Sequence, residues 1–325
     1  MTAVSAIVVT QHGGPLLDAC LAALRPALEP LGPEAELIVV DNSGEGIDAG
    51  EARVVGEGRN LGFAGGVARG LQSAVGEWVL LVNDDAEVEP DCVQALLDVG
   101  RAAPRAGAVT GQVRFHARRD VINTAGLVID CLGVAYDRLA GAPAYDGGPV
   151  EEVFGASACL ALYRRAMLDG IGGFDASFFA FGEDADIAWR ARMAGWSALY
   201  APASIAYHHG SATAGEASPA KYFLVGRNRM RLLAKNATRG QFARWGWAMA
   251  LYDIAYVLFV AVTDRTLSPL RGRLAGLREW RRYRRAGVGG RGPAPLAPPT
   301  GALGAWRQRN AYRRGGGDPY DGDHA

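Results

Sequence analysis

Three short stations in this chain hold residues whose types and spacing could do chemistry. The first is Asn83-Asp84-Asp85, placed directly after the apolar run 78–82. Five apolar residues in a row read as a short buried strand, so the acids sit where it ends. Adjacent carboxylates at the mouth of an apolar sheet repel each other and desolvate at a cost. A divalent cation between them relieves both problems. Hard ions such as Mg²⁺ or Mn²⁺ prefer such oxygen ligands, one or two carboxylates plus a substrate's phosphates. The second station is Glu183-Asp184-Ala185-Asp186, which follows the aromatic-rich run 174–181. Acids at a helix start beside an aromatic wall are raised in pKa by burial and lowered by the helix dipole, a balance that suits an ionised base in a half-closed pocket. Simple N-capping would account for an acid there but not for the aromatics. Asp184 and Asp186 fall on different faces of that helix and so have different roles. The third station is His208-His209, after the strand-like stretch 204–207. A histidine pair is more often structural, but beside a carboxylate metal site one imidazole becomes a candidate further ligand.

The elements that must position these stations can be read from periodicity. Runs 4–10, 36–40 and 78–82 read as strands. Between them, 16–28 is apolar at helical spacing and 65–75 is small and helix-compatible. Strand, helix, strand, glycine-rich turn, helix, strand predicts βαβ units on a mostly parallel sheet, an α/β fold. Ligands of such sheets bind beyond the carboxyl ends of the strands, so Asp41-Asn42-Ser43 and Asn83-Asp84-Asp85 should face one crevice. The glycine run 59–70 (RNLGFAGGVARG) lacks a strict GxGxxG and follows the second strand instead of the first, which excludes a dinucleotide fingerprint. Its glycines still allow a nucleotide to approach the backbone. Further helices are expected at 91–103 and 184–195, and strands and loops over 108–150.

Charge divides the chain in two. Residues 1–220 carry 14 Lys/Arg against 28 Asp/Glu, whereas 221–325 carry 20 against 6. An acidic front and a basic rear suggest two tasks, the second involving an anionic partner. The four cysteines (Cys20, Cys92, Cys131, Cys159) form no CxxC pair and fit small buried side chains in a reducing compartment. No signal-peptide pattern opens the chain, so the catalytic part is expected in the cytosol.

The ordered motifs VSAIVVT, VVDNSG, RNLGFAGGVARG, LLVNDDAEV, GGFDASFFAFGEDADIAWRARMAGW, YHHGSAT and GRNRMRLLAKN resemble those of the bacterial glycosyltransferase family 2 enzymes, especially the rhamnosyltransferase-like branch. The resemblance covers about residues 3–240. It implies a GT-A fold and a nucleotide-diphospho-sugar donor, UDP- or dTDP-linked, with inversion at the anomeric carbon. By position, Asp41 looks like the aspartate that contacts the nucleotide base, and Asn60 and Gly62 like part of the nucleotide loop. Asp84 and Asp85 match the middle and last residues of the DXD motif, with Asn83 in the first place, so metal binding rests mainly on Asp85. His208 matches the histidine on the metal or diphosphate, and Asp184 the catalytic base. Glu183, Asp186, Arg190 and Arg227 are further candidates. Ala68 stands where many relatives have Asn. The QxxRW motif of processive synthases is absent, which implies one sugar per acceptor.

The basic rear contains the apolar stretch 245–263 with a single charge, Asp253, followed by nine arginines from Arg265 to Arg291. A central Asp costs on the order of 3 kcal/mol in a span, and a single crossing would place the arginines opposite a cytosolic catalytic domain. An interfacial helix on anionic head groups fits better; a homodimer interface and a true span are the alternatives. Nucleic acid is disfavoured, because the arginines lack a recognition motif. The expected organisation is a catalytic domain at 1–220, a helical basic and apolar extension at 221–286, and a disordered Gly/Pro/Arg-rich tail at 287–325. The expected function is a metal-dependent, inverting, non-processive glycosyltransferase, peripheral on the inner face of the plasma membrane. It would move a sugar such as rhamnose to a lipid-linked or cell-envelope glycan. The rivals are a sugar-phosphate nucleotidyltransferase, for which Gln11-His-Gly-Gly-Pro15 is a poor triphosphate loop, and a non-catalytic sugar-nucleotide or glycan binder.

Overall fold

The computed structural model describes residues 3–210, 218–287 and 294–299. In chain order its strands are β1 (Val4–Thr10), β2 (Ala35–Asp41), β3 (Arg53–Gly56), β4 (Trp78–Asn83), β5 (Ala86–Val88), β6 (Ala106–Phe115), β7 (Arg118–Thr124), β8 (Leu127–Ile129), β9 (Ala135–Asp137), β10 (Glu151–Val153), β11 (Leu160–Arg164) and β12 (Ser197–His208). The helices are α1 (Gly14–Leu28), α2 (Gly62–Ser73), α3 (Cys92–Ala102), α4 (Arg165–Ile171), α5 (Glu183–Met193), α6 (Pro219–Asn236), α7 (Arg239–Thr263), α8 (Ser268–Arg278) and α9 (Trp280–Ala286).

The main sheet runs β10-β12-β6-β11-β4-β1-β2-β3, with β5 on β12 and β7 on β6. Along that path only β11 and β10 run against the others. Strand β1 is buried along its whole length and β4 from Trp78 to Val82, because both faces are covered, as for a central parallel strand. Alternate side chains divide between two layers. Val4, Ala6 and Val8 pack with Leu17, Leu21 and Leu24 of α1 and Leu96 of α3. Ile7 and Val9 pack on the opposite face with Val67 of α2, Met167 of α4 and Ile187 of α5. The short strand β3 and the pair β11–α4 have no counterpart in the sequence expectations. Each is too brief or too uniformly apolar for periodicity to register.

Residues 221–286 are not a detached appendage. A third apolar cluster joins Trp189 and Met193 of α5 to Met230 and Leu233 of α6, Met249 of α7 and Tyr283 of α9. Asp186 of α5, fully buried, accepts from Lys235 Nζ and Asn236 Nδ2 of α6, both at 2.9 Å. Helices α6 and α8 lie so close that a Cβ at Gly272 would meet the Phe223 carbonyl. Asp253 of α7 does not face outward: it receives Arg229 at 2.6 Å and Arg273 at 2.8 Å. Most of the tail, like residues 211–217, lies outside the described residues. Within 294–299, however, the Ala297 carbonyl accepts from Cys131 N at 2.8 Å, so this piece is ordered against the β8 end.

Candidate active site

The carboxyl ends of β1, β2 and β4 lie side by side, with Thr10 opposite Asp41 and Val9 opposite Asn83. This places the acidic turn 83–85 beside the loop that follows β2. Asp85, 7 % exposed, lies 3.1 Å through Oδ1 from His208 Nε2 at the end of β12. His208 Nδ1 lies 3.2 Å from Asn123 Oδ1, and the Asn123 amide nitrogen has no further partner among the described residues. Burial alone would push the Asp85 carboxyl up, but the His208 imidazolium holds it below the usual range. Burial would conversely lower His208, and Asp85 carries it well above an ordinary histidine. Asp84 is pushed up to about 6 by burial and by its neighbour Asp85, against the Thr10 hydroxyl, which favours its ionised form.

Glu183 and Asp184 open α5 after a turn of unusual backbone. Phe179 and Phe181 both have positive φ (67° and 68°), costly for aromatic residues. The Asn228 amide of α6 pins the turn, donating to the carbonyls of Phe178, Ala180 and Phe181 at 2.7–2.8 Å. Asp184 is half-buried and accepts from Ala185 N at 2.7 Å, whereas Glu183 is buried and its Oε2 has no partner among the described residues. Burial raises both carboxyls, Asp184 to about 6 and Glu183 to about 8. Asp137 adds to the first shift and Asp184 to the second. The two acidic stations are linked electrostatically: Asp137 acts on Asp184 and on Cys159, and Cys159 acts on His208. Asp84, Asp85 and His208 meet at the strand ends, and Asp137 and Cys159 couple this group to Asp184, beside Glu183. Asn123, Asp137, Cys159 and Asn228 belong to this arrangement or brace it. Only Asn228, inside a quoted motif, carried any sequence signal.

The remaining candidates divide. Asp41 Oδ1 takes Ser43 N, Ser43 Oγ and Gly44 N (2.7, 2.6 and 3.3 Å), and its Oδ2 takes Gly46 N at 3.1 Å. Burial opposes its charge, but these donors hold the carboxyl low. Asp41 thus shapes its own loop and keeps acceptor capacity on Oδ2. Asn60 Oδ1 accepts from Gly62 N at 2.7 Å, and a Cβ on Gly62 (φ +71°) would strike the Phe179 carbonyl. The glycine loop is therefore docked on the aromatic turn. The Gly62 carbonyl takes the Asn42 amide at 2.9 Å, leaving Asn42 Oδ1 unpartnered among the described residues. Arg227 reaches the Phe178 carbonyl at 2.9 Å. Asp186 and Arg190 are not part of this arrangement. They form a buried ion pair at 2.8 Å, and Arg190 also holds the Ile171 and Gly173 carbonyls. Of the motif YHHGSAT, Ser211 to Thr213 lie outside the described residues.

The donor set suits a hard divalent ion: carboxylates from Asp84 and Asp85 at the strand ends and one imidazole, His208, against Asp85. A doubly covered sheet with paired acids at its strand ends, facing a second acid pair on a helix start, is the arrangement of a GT-A glycosyltransferase. The chain belongs to the glycosyltransferase-like family 2, whose sequence profile matches residues 4–233. It is 31 % identical over 238 residues to N-acetylglucosaminyl-diphospho-decaprenol L-rhamnosyltransferase of Mycobacterium tuberculosis (strain H37Rv), covering 64 % of this chain and 76 % of that one. Among solved structures, S. aureus TarS 1-349 superposes with a TM-score of 0.53 at 15 % identity, over 96 % of this chain and 89 % of that one. GalNAc-T7 with UDP, GalNAc and Mn²⁺ gives 0.56 at 13 % identity over 72 % of this chain, which spans about half (48 %) of that longer one. These structural likenesses establish the fold. Family membership makes the chain a nucleotide-sugar glycosyltransferase of rhamnosyltransferase-like type and removes the nucleotidyltransferase and non-catalytic rivals.

Proposed function

We propose that the chain transfers a single sugar, rhamnose, from a UDP- or dTDP-linked donor to a hydroxyl of a polyprenyl-diphosphate-linked glycan, with inversion and with Mg²⁺ or Mn²⁺. The observation that carries this reading is the Asp85–His208 contact at 3.1 Å, set at the strand ends. The sugar and the lipid-borne acceptor follow the named activity of the mycobacterial relative.

In this reading Asp85 and His208 would hold the ion, with Asp84 beside them, and Asp41 Oδ2 would accept from the base. When bound, the ion supplies charge neutralisation for the leaving nucleoside diphosphate. Asp184 receives the acceptor hydroxyl's proton as that oxygen bonds to the anomeric carbon. The bond from that carbon to the diphosphate oxygen breaks on the opposite face. The half-buried carboxylate of Asp184 is the reachable one of the pair, and burial together with Asp184 raises its neighbour Glu183. Inversion needs no covalent sugar–enzyme intermediate. Asn228 and the glycine loop hold the aromatic turn that sets the height of Asp184 above the sheet.

Membrane attachment is supported by the exposed side chains of the rear helices. Trp247, Leu251, Ile254, Leu258 and Val262 form one outward stripe on α7, 59–79 % exposed. Leu270, Leu274 and Leu277 are exposed on α8, as are Arg271 and Arg278 on the same helix and Arg281, Arg282 and Arg285 on α9. Buried Arg273 and half-buried Arg284 are engaged inside the protein, so the basic surface is smaller than the sequence count. An apolar stripe together with exposed arginines suits the inner, anionic membrane face.

The reading is tested by calorimetry with dTDP and UDP in Mn²⁺ or EDTA. Nucleotide binding should be metal-dependent in the wild type, and Asp85→Asn should remove that dependence while the variant stays folded, with a lower melting temperature from the lost His208 pair. Equal affinity in EDTA and Mn²⁺ would overturn it.

A further inference from the structure

Beside the donor crevice, the ends of β5, β6 and β12 bring together a second set of ligating side chains. Glu87 Oε1 lies 3.1 Å from His209 Nε2 and 3.2 Å from His116 Nε2. The three ligating atoms all lie within 4.8 Å of one another, and the two imidazoles stack at 3.7 Å. Main-chain bonds fix this convergence. Glu87 sits opposite Tyr207 in the β5–β12 ladder, His116 N donates to the His208 carbonyl at 2.8 Å, and His209 N donates to the Asp85 carbonyl at 3.0 Å.

We infer that Glu87, His116 and His209 form a second metal site, selective for a borderline transition ion of the Zn²⁺ class and separate from the Asp85–His208 station. In a tetrahedral shell with metal–ligand distances of about 2.0–2.1 Å, neighbouring ligand atoms sit roughly 3.3 Å apart. The two carboxylate–imidazole separations already match that spacing. Two imidazoles and one carboxylate are a recurrent three-ligand zinc set that leaves a fourth position to water. All three side chains are partly exposed, so water reaches that position. Nitrogen-rich ligation disfavours Mg²⁺, which separates this site chemically from the oxygen-rich turn at 84–85. Loading requires the stacked rings, now 18° from parallel, to splay so that both Nε2 lone pairs converge. Because His209 and His116 bond to the main chain of Asp85 and His208, a bound ion would tie β5, β6 and β12 where the donor-site ligands are spaced.

The test uses the full chain, stripped with EDTA and titrated with Co²⁺ by absorbance and with Zn²⁺ by calorimetry. One equivalent of Co²⁺ should give the intense visible bands of four-coordinate cobalt. Glu87→Gln and His116→Ala should each weaken Zn²⁺ by more than the roughly 10–100-fold that loss of an outer partner costs. Asp85→Asn should leave Zn²⁺ affinity intact, and the metal-free melting of Glu87→Gln and His116→Ala should match the wild type. The inference is overturned by the absence of stoichiometric Zn²⁺ binding. It is equally overturned by unchanged affinity in His116→Ala, or by loss in Asp85→Asn with retention in Glu87→Gln, which would mean a single site.

Discussion

Glu183 and Asp184 are adjacent in the chain yet stand in different surroundings, one buried with an oxygen that has no partner among the described residues and one half-buried. A positioned base is worth about 10²–10⁴-fold, so Asp184→Asn should lower turnover by that order while donor affinity holds. Glu183→Gln should be far milder. With Asp184 raised to about 6, turnover should climb as pH rises through that value, and the climb should vanish in the Asn variant's residual rate. Stability should move the other way. The folded state binds more protons than the unfolded chain between the ordinary aspartate value of about 4 and the folded value near 6. Stability is therefore full below that window and declines as pH rises through it. Urea unfolding from pH 4 to 7 should show the decline, flattened in Asp184→Asn. A pH-independent turnover between 5 and 7 would assign the base elsewhere.

At the scale of elements, the aromatic turn before α5 is held in its positive-φ shape chiefly by one amide. Asn228→Ala would leave the carbonyls of Phe178, Ala180 and Phe181 without that donor. A lost buried partner costs about 1–3 kcal/mol, and relaxation of the turn would move Asp184 relative to β4. The expected outcome is a lower melting temperature together with a fall in turnover larger than the fall in donor affinity. Unchanged turnover in a destabilised variant would confine Asn228 to the fold. The Asp186–Arg190–Lys235 network does a neighbouring task, locking α5 to α6. Its loss should appear in stability, by about 3–5 kcal/mol for breaking a buried pair, before it appears in donor binding.

For the whole molecule, the exposed apolar side chains of α7 and α8 should place the enzyme on a bilayer without crossing it. The Asp253 pairs pin α7 to α6 and α8, so insertion as a span would have to break two ion pairs. Liposomes containing anionic lipid should float the protein, and salt should weaken but not abolish binding, since each basic residue near the surface adds about 1 kcal/mol. Leu258→Glu with Leu274→Glu should abolish flotation while melting temperature and nucleotide binding persist. Flotation unaffected by that double change would remove the stripe from the contact, and resistance to alkaline carbonate would favour a span. Removing residues 241–325 should destabilise the catalytic part instead of yielding a soluble one. Met249 of α7 and Tyr283 of α9 belong to the cluster that covers α5.

The sequence by itself determined the parallel core, the acids at its strand ends and the membership these motifs imply. Strand runs, helical spacing and Asn83-Asp84-Asp85 are local patterns, written within a few residues of one another. Tertiary structure decided which charges stand half-open and which are paired inside the fold. Asp184 and Asp186 are two residues apart, and nothing local says that the first stays half-buried while Lys235 and Asn236 close around the second. Asp253 looked like a charge stranded in an apolar helix until Arg229 and Arg273 were brought to it from other helices. Asn123, Asp137 and Cys159 had no legible signal, because their part in the site comes only from strands far apart in sequence meeting at one end of the sheet. Burial and pairing are set by such long-range contacts, and they fix a carboxylate's pKa and reach more strongly than its neighbours in the chain.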